Sequence, residues 1–277
     1  MIIDAHLHCS GSESTRDVLR ALDAADIDVA VLLAPFVTAP FALADRESLC
    51  AANAHLARLV RGHTDRLVGF AVVNPLHDQA AEDLEDAVVR LGLRGLKLVP
   101  SGWYPYDACA HKVYAAAAAL KIPILFHSGI FIDGRSGRFC QPVFYEAVRD
   151  YPGLRVALAH LGWPWTDEAN AIGLIDLLNG VEPEASQFRF DLSFGPPPIY
   201  RRAVIERALA VLGPGLLQFG SDRFLPCHGE HIHSALDELC AILDEIGVNP
   251  AAREQVLGGT AAAWLGLTPM PGRRITQ

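Results

Sequence analysis

Eight short apolar runs alternate with helix-like stretches along the whole chain, and this alternation limits the folds that the sequence can adopt. The runs are Ile2–His8, Ile27–Leu33, Leu67–Val73, Leu93–Val99, Ile122–Phe126, Leu154–Ala159, Phe188–Ser193 and Leu216–Ser221. Strands that alternate with helices form parallel sheets, because each helix carries the chain back to its starting end. With no linker or shift in composition, the pattern predicts one α/β domain over residues 1–277, folded as a (β/α)8 TIM-like barrel.

An open, doubly wound sheet is the alternative fold for the same pattern. Many such sheets carry a glycine-rich phosphate turn after the first strand, and this chain has no such turn after Ile2–His8. In addition, polar residues cluster where strands one, four, five, six and eight end. These positions favour the barrel, because barrel enzymes build their sites at the carboxyl ends of the strands.

The charge of the chain restricts its partners. Its 23 Lys and Arg residues stand against 32 Asp and Glu residues, which gives a formal net charge of -9. This balance argues against a nucleic-acid-binding surface and against attraction to an anionic membrane, so a small molecule is the expected partner. The oligomeric state stays open, with a homodimer as one possibility.

The N-terminus and the cysteines indicate a reducing compartment. The chain enters its first strand with no basic stretch, no signal-like apolar run and no cleavage site, so we expect a cytoplasmic protein. Six cysteines lie at wide intervals without a Cys-x-x-Cys pair, which predicts neither a zinc knuckle nor a disulfide framework. Strand alternation turns Cys9 away from the face of His8, so we expect Cys9 to be a small buried apolar residue.

The first strand carries two histidines one residue apart. Alternation places Asp4, His6 and His8 on one face and the apolar residues between them on the other. Two imidazoles therefore converge on one point. Neutral imidazole is a favoured ligand of zinc and related metals, so the pair is a candidate for half of a metal site.

Further polar residues end three later strands. His127, His160 and Asp222 follow the fifth, sixth and eighth runs. In a barrel these side chains converge with His6 and His8 at the carboxyl rim. Three of these imidazole nitrogens, together with the Asp222 carboxylate, match the donor set of a divalent transition metal. Such a set keeps one position for water, as a catalytic site requires.

Taken together, the residues at the strand ends resemble the signature of the amidohydrolase superfamily. The matching positions are Asp4-x-His6-x-His8, Lys97, His127, His160 and Gly220-Ser221-Asp222. The segments RLVGFAVVNP, GLRGLKLVP, ILFHSG, AHLGWPWTDEA and FGSDRFLP are similar to the amidohydrolase-related branch, the amidohydrolase 2 type. That branch includes aminocarboxymuconate semialdehyde decarboxylase, resorcylate decarboxylases and many metal-dependent hydrolases.

The resemblance implies a distorted (β/α)8 barrel of the amidohydrolase type that holds one divalent metal ion. The implied ligands are His6, His8, His127 and Asp222. Zinc is the expected ion, with manganese as the alternative. The resemblance also implies that His160 lies beside the ion as a catalytic or water-orienting base.

Lys97 leaves the number of metal ions open. In related enzymes a lysine on the fourth strand can be carboxylated and bridge two metals, in which case His127 and His160 would hold the second ion. Alternatively, Lys97 stays an ammonium that pairs with Asp222 or with a substrate carboxylate, which is the reading that we prefer.

Two reactions fit this constellation. In metal-dependent hydrolysis of an ester, lactone or amide, Asp222 accepts and redelivers the proton of the attacking water. In nonoxidative decarboxylation of an aromatic or muconate-like acid, His160 or Asp222 moves the proton. A barrel that binds a ligand without catalysis is the third possibility.

Aromatic and basic residues follow the same strands and are candidates for substrate contacts. They are Trp103, Tyr104, Tyr106, Phe131, Arg135, Arg138, Trp163, Trp165 and Arg223. Aromatic walls with arginines indicate a planar or unsaturated carboxylate. Among them we select Arg223, Trp103 and Trp163.

Overall fold

The computed structural model describes residues 1–35, 45–131, 137–193 and 196–267 of the chain. In these residues strands and helices alternate, as the sequence predicts. The strands are β1 (Ile3–His8), β2 (Val29–Leu33), β3 (Leu67–Val72), β4 (Gly95–Leu98), β5 (Ile124–Phe126), β6 (Val156–Leu158), β7 (Phe188–Asp191), β8 (Leu217–Gln218) and β9 (Arg223–Phe224). The α-helices are α1 (Thr15–Ala24), α2 (Arg46–Val60), α3 (Ala80–Val89), α4 (Ala108–Ala119), α5 (Thr166–Leu178), α6 (Pro198–Leu212), α7 (Gly229–Glu245), α8 (Pro250–Glu254) and α9 (Thr260–Leu265).

Local sequence explains where several helices begin. Ser14 and Asp45 precede α1 and α2 in extended conformation, and their side chains accept from backbone N–H groups of the first turn. Asn249 does the same for α8. Each such cap stabilises its helix by about 1 kcal/mol. The predicted helix after β5 is a 3-10 helix, Pro142–Asp150, and α8 continues into a π-helical turn, Gln255–Gly259.

The strands form one curled parallel sheet. Their order is β8-β7-β6-β5-β4-β3-β2-β1-β9, so strands that are consecutive in sequence are neighbours in space from β1 to β8. A doubly wound sheet would reverse its strand order near the middle, and this sheet does not. The architecture is α/β and consistent with a TIM-like barrel of the amidohydrolase type.

The predicted eighth strand is interrupted. Only Leu217–Gln218 pairs with β7, and β9 pairs with β1. Between them, the backbone oxygen of Phe219 accepts from Ala5 N–H at 3.0 Å, and Asp222 N–H donates to the backbone oxygen of His6 at 2.8 Å. The strand breaks because Asp222 has a φ of +53°, which no regular strand contains.

Apolar side chains fill both faces of the sheet. The outer cluster, between strands and helices, includes Leu32 and Phe190. The inner cluster includes Val31 and Phe70 from the strands and Trp264 from α9. The Trp264 and Phe70 rings are 5.4 Å apart between centroids, so α9 covers part of the inner face. Burial of each such side chain stabilises the fold by roughly 1.5–3 kcal/mol.

A β-bulge in β1 breaks the predicted alternation. From Asp4 to Leu7 the chain advances three residues, whereas its partner β2 advances only two, from Ala30 to Leu32. After the extra residue, the side chains of β1 point to the opposite faces of the sheet from those that strict alternation predicts. Accordingly, Ala5 packs in the inner cluster but Leu7 packs in the outer one. The prediction that these apolar residues share one face is therefore wrong.

The bulge also separates Asp4 from the histidines. Asp4 is fully buried, and its carboxylate accepts from the N–H groups of His6 at 3.0 Å and Ser221 at 2.9 Å. It thus ties β1 to the segment after β8. The prediction that Asp4 shares a face with His6 and His8 is wrong for the same reason.

We expect Asp4 to make stability depend on pH. Burial raises the pKa of Asp4 to about 7 from an ordinary 3.8. The folded chain thus holds this proton more tightly than the unfolded chain, so the contribution is full below about pH 4 and is lost as pH rises to about 7. The free energy of unfolding of the wild type should fall relative to Asp4→Asn over that interval, as measured by urea titration. A difference that rises with pH contradicts this assignment.

The remaining features of the fold concern membranes and thiols. Within the described ranges, no helix combines the length and the apolar character needed to cross a bilayer. All six cysteines are free in this structure. Cys9 is fully buried in the outer cluster, as predicted.

Candidate functional site

Three side chains predicted from the sequence meet at the carboxyl end of β1. His6 Nε2 and His8 Nε2 are 3.1 Å apart. Asp222 Oδ1 lies 3.3 Å from the first nitrogen and 3.1 Å from the second. We call His6, His8 and Asp222 the donor triad. In the described part of the chain, this is the group of His, Cys, Asp or Glu side chains that could hold a metal ion.

The spacing of the donor triad fits a divalent ion. Donors at about 2.1 Å from a common ion are about 3.0 Å apart in octahedral and about 3.4 Å apart in tetrahedral geometry. The observed separations of 3.1 to 3.3 Å fall in this interval. Two imidazoles and one carboxylate are also ligand types that zinc and manganese accept.

Electrostatics prepare the donor triad for a cation. Burial lowers the pKa of His8 and lowers that of His6 well below its usual range, so both rings are neutral, the form that binds metals. Burial alone would raise the pKa of Asp222, but the surrounding imidazoles, first His6, outweigh it and hold the pKa below its usual range. The carboxylate is therefore ionised.

Asp191, at the end of β7, orients His6. Its Oδ2 lies 2.6 Å from His6 Nδ1, and both side chains are fully buried. Such a carboxylate on the far nitrogen of an imidazole fixes the ring and leaves Nε2 for a metal. The sequence pattern alone did not predict a role for Asp191 or for Ser193, two residues later. A signal existed, since both polar residues end a predicted strand at the same rim.

His160 lies beside the donor triad. Its Nδ1 is 2.8 Å from Ser193 Oγ, and its ring centroid is 5.3 Å from that of His6. His160 has a φ of +60° and Leu161 a φ of +50°, in the left-handed region. For residues other than glycine this region costs roughly 1–2 kcal/mol each, and such strain is concentrated at functional sites.

His127 stands close to the triad but outside its tightest grouping. It does not bring a ring nitrogen within 4.8 Å of all three donor atoms. Its centroid is 5.1 Å from that of His160, and its Nε2 is buried with no hydrogen-bond partner in the described structure. Burial lowers the pKa of His127 well below its usual range. A neutral imidazole with an unused buried nitrogen is available as a ligand.

Lys97 reaches the same centre from β4. It is 1% exposed, and its Nζ lies 3.2 Å from His6 Nε2. Burial lowers the pKa of Lys97 to about 8, against the attraction of Asp222 and Asp191. A buried cation in contact with the donor triad can pair with an anion that enters the site.

Two phenylalanines cover the histidines. Phe224 on β9 stacks on His8 with centroids 4.4 Å apart and an interplanar angle of 5°. Phe131 stacks on His127 at 4.1 Å and 12°. Phe224 is 48% exposed, so about half of this residue is open to solvent beside His8. The sequence pattern alone did not predict a role for Phe224, although this residue follows Asp222 by two positions.

The predicted substrate contacts occupy different places. Arg223 Nε donates to the backbone oxygen of His231 on α7 at 3.1 Å. Trp103 is 2% exposed and packs in the outer cluster. Trp163 is half-buried, and its backbone oxygen accepts from Ile130 N–H at 2.9 Å, which joins the loops after β5 and β6.

The other aromatic and basic candidates lie mostly around the loop after β4. The Tyr104 ring stacks on Tyr106 at 5.2 Å and meets Phe139 edge-on at 4.7 Å. The Arg138 guanidinium lies 4.7 Å from the centre of the Phe139 ring. Trp165 is half-buried before α5. Arg135 lies outside the described residues.

Gly220 leaves room for the site, and we expect Gly220→Ala to damage it. An added Cβ would lie 2.7 Å from His6 Cβ and 3.1 Å from Asp191 Oδ1. Overpacking of this kind costs roughly 1–3 kcal/mol of stability. Because it displaces the candidate ligand His6 and the carboxylate that orients it, metal affinity should fall about 10-fold.

Gly153→Ala is the control for the glycine change itself. Nothing lies within 4 Å of the added carbon, and φ is +84°. This variant should lose roughly 1–2 kcal/mol from backbone strain and keep its metal affinity. Thermal unfolding and metal titration measure the two effects, and equal affinities for all three proteins contradict the prediction.

Comparison with known proteins places this site in a family. A family model described as amidohydrolase matches residues 3–267. No curated protein matches the chain. A solved structure of 2,6-dihydroxybenzoate decarboxylase from Rhizobium is 17% identical with a TM-score of 0.67, over 96% of this chain and 98% of that chain.

Two further structures share the fold. Dihydroxybenzoic acid decarboxylase from Polaromonas sp. JS666, with bound manganese and the inhibitor 2-nitroresorcinol, is 19% identical with a TM-score of 0.65 over 96% of each chain. A probable 2-pyrone-4,6-dicarboxylic acid hydrolase from Acinetobacter baumannii, with citric acid bound, is 17% identical with a TM-score of 0.64, over 96% of this chain and 99% of that chain. Since the family model spans nearly all of the sequence, this chain belongs to the amidohydrolase family, as its resemblance to that superfamily predicts.

Proposed function

We propose that this protein is a metal-dependent hydrolase that cleaves an ester, lactone or amide bond in a small carboxylate-bearing molecule. The observation that carries this assignment is the convergence of the three triad donor atoms within 4.8 Å of one another, beside His160. A carboxylate, two neutral imidazoles and an adjacent third imidazole together provide metal ligands and proton-transfer groups.

In this proposal the chain forms one domain over residues 1–277, and its sheet closes into a (β/α)8 barrel. Support comes from the segment after α6, in which β8 pairs with β7 while Phe219 and β9 pair with β1. In such a barrel the carboxyl ends of all strands surround one mouth. His127, His160 and the donor triad would then share that mouth.

One divalent ion would be held by the donor triad. His127, which lies outside the 4.8 Å grouping of the three donor atoms, would approach the bound ion as the fourth ligand. The Nε2 of His127 is buried and has no hydrogen-bond partner among the described residues, which supports this role. Zinc suits the imidazole-rich set, and manganese, which the Polaromonas structure contains, is the alternative. When bound, the ion supplies Lewis acidity and lowers the pKa of water to about 7.

The chain's own residues would bind and move protons around that centre. Asp222, ionised and 3.1 Å from His8, can accept the proton of the attacking water and return it to the leaving group. His160 can hold a water or a substrate oxygen by a hydrogen bond. Lys97 as an ammonium would pair with the substrate carboxylate, since Arg223 is engaged with the His231 backbone oxygen.

Nonoxidative decarboxylation is the second candidate. It is favoured by the decarboxylases from Rhizobium and Polaromonas among the structures that share the fold. Here Lys97 would bind a carboxylate or phenolate, and His160 or Asp222 would deliver a proton to the carbon that loses carbon dioxide.

Two measurements test these assignments. Elemental analysis of the purified protein should give about one zinc or manganese per chain. Two ions per chain would instead support the alternative in which a carboxylated Lys97 bridges two metals. A panel of lactones, esters, amides and aromatic or muconate-like acids in ¹⁸O-labelled water should give ¹⁸O in the product. Release of carbon dioxide without ¹⁸O uptake would replace hydrolysis by decarboxylation, and protein without any metal or turnover would refute both.

A further inference from the structure

The backbone oxygen of His127 cannot have its regular partner in the sheet. Between β4 and β5, Leu96 N–H donates to the backbone oxygen of Pro123 at 3.0 Å, and His127 N–H donates to that of Leu98 at 2.8 Å. The two strands keep one register, so four residues further on the N–H of residue 100 would meet the oxygen of residue 127. Residue 100 is Pro100, which has no N–H to donate.

The hydroxyl of Tyr145 takes the place of that donor. Tyr145 lies on the 3-10 helix Pro142–Asp150, and its O–H donates a short hydrogen bond to the backbone oxygen of His127. The direction of this bond is fixed, because a carbonyl oxygen can only accept. Tyr145 is fully buried, and its ring centroid lies 4.7 Å from that of Phe126. The packed ring thus keeps the hydroxyl at the end of β5.

The segment before this 3-10 helix is fixed to the ends of the same two strands. Gly129 N–H donates to the backbone oxygen of Cys140 at 2.8 Å. Cys140 Sγ lies 3.3 Å from the backbone oxygen of Pro100, within hydrogen-bond distance for a thiol. Cys140 is fully buried and precedes the helix by two residues, so these contacts fix the start of the helix that carries Tyr145.

The two backbone hydrogen bonds fix the direction of the His127 side chain. The N–H of His127 is bonded to β4 and its carbonyl to Tyr145, so the backbone is anchored on both sides of the Cα atom. The ring stacks on Phe131 with centroids 4.1 Å apart. Its centroid also lies 5.1 Å from that of His160, which stands beside the donor triad.

We propose that Tyr145 is a positioning residue for the metal site. Its hydroxyl replaces the N–H that Pro100 lacks, and it thereby directs the His127 ring toward the donor triad. Without the hydroxyl, the carbonyl of His127 would lose its donor, and the end of β5 would shift to find another. The role toward the ion rests on the proposed function, in which His127 is the fourth ligand, whereas the position of the ring does not.

Tyr145→Phe tests this role, because it removes the hydroxyl and keeps the ring. Tyr114→Phe is the matched control, since Tyr114 is also fully buried and its hydroxyl donates to a backbone oxygen, that of Pro105, at 3.0 Å. Each variant leaves one carbonyl without its donor, so both melting temperatures should fall by a similar amount, roughly 2–8 °C.

Zinc affinity should separate the two variants. In titrations of the full-length protein against a chromophoric chelator, Tyr145→Phe should bind Zn²⁺ about 10-fold more weakly than the wild type. Tyr114→Phe should change the affinity by less than about threefold, because its hydroxyl supports a loop that carries none of the proposed ligands.

Histidine NMR of the metal-free, full-length protein measures the position of the ring itself. In protein labelled with ¹³C-histidine, the Cε1–H signal of His127 is assigned by its loss in His127→Gln. The chemical shift of this proton depends on the stacking of His127 on Phe131, because an aromatic ring shifts the signals of nearby protons. We expect the signal to move in Tyr145→Phe and to keep its wild-type position in Tyr114→Phe.

The outcomes separate the positioning role from the proposed function. An unchanged His127 signal in Tyr145→Phe overturns the role of Tyr145, even if the enzyme is active. Wild-type zinc affinity in Tyr145→Phe, or equal losses of affinity in the two tyrosine variants, also overturns it. If the wild type binds no zinc but the His127 signal moves only in Tyr145→Phe, Tyr145 does position the ring and the proposed function fails.

Discussion

Replacing His6 with alanine is expected to remove both the bound metal and the turnover. His6 Nε2 lies within 3.3 Å of the other two triad donors, and its ring is fixed by Asp191. Without it, two of the three convergent donors remain, and the metal content should fall from about one ion per chain to background. We expect kcat/KM to fall at least about 1,000-fold, as measured with a metal-replete preparation and elemental analysis.

Two variants make this result specific. His63→Ala removes a partly exposed histidine that precedes β3 at the opposite end of the strands, and it should keep both metal and rate. His6→Asn fills more of the space left by the ring and guards against simple misfolding, which circular dichroism would detect. If His6→Ala retains metal and wild-type turnover, the metal assignment fails.

His160→Asn is expected to keep its metal and lose most of its rate. With the donor triad and His127 as ligands, a further imidazole would displace water or substrate, so His160 is better placed outside the coordination shell. Loss of a general acid or base lowers the rate by about 100 to 10,000-fold. Asparagine suits the position, because it adopts the φ of +60° found at His160 more readily than most residues.

The control for His160→Asn is His111→Asn. His111 is also partly buried and hydrogen-bonded, with its Nδ1 2.9 Å from the Tyr151 hydroxyl, but it lies on α4 away from the donor triad. Its variant should keep the wild-type rate. Folded His160→Asn that purifies without metal would make His160 a ligand and the assignment of one four-ligand ion wrong.

Sequence reasoning located the strand ends well because their signal is local. Apolar runs bounded by polar residues define each strand, and His6, His8 and Asp222 lie where those runs end. Parallel strands bring their carboxyl ends to one edge, so proximity of these side chains follows from topology alone. Imidazole and carboxylate groups are common ligands of divalent metals, so these residue types then indicated a metal site.

The bulge in β1 could not be read from the sequence. Asp4, His6 and His8 follow a perfect two-residue period, which predicts a shared face. The extra residue in β1 is set by pairing with β2 and with the segment after β8, and these partners lie far away in sequence. In the folded sheet, Asp4 does not belong to the donor triad but accepts hydrogen bonds from the N–H groups of His6 and Ser221, which tie β1 to the segment after β8.

The directions of the Arg223 and Phe224 side chains could not be predicted from the sequence either. Arg223 adjoins Asp222, and adjacency predicts a role in the site, yet its guanidinium extends to α7. Its neighbour Phe224 instead stacks on His8. Neighbouring residues of a strand face opposite sides. A predicted short strand after Asp222 would therefore have placed Phe224 at the site and turned Arg223 away from it.

The candidate site forms late in folding, because its residues come from the two ends of the sheet. His8 and Asp222 are 214 residues apart in sequence, and His6 and Asp191 are 185 apart. Contacts that close such long loops carry a large entropic cost and form slowly. During synthesis, the ion-binding atoms cannot assemble until nearly the whole chain has left the ribosome. In the proposed function, metal capture by the donor triad would therefore mark the completion of folding and would then hold the first and last strands together.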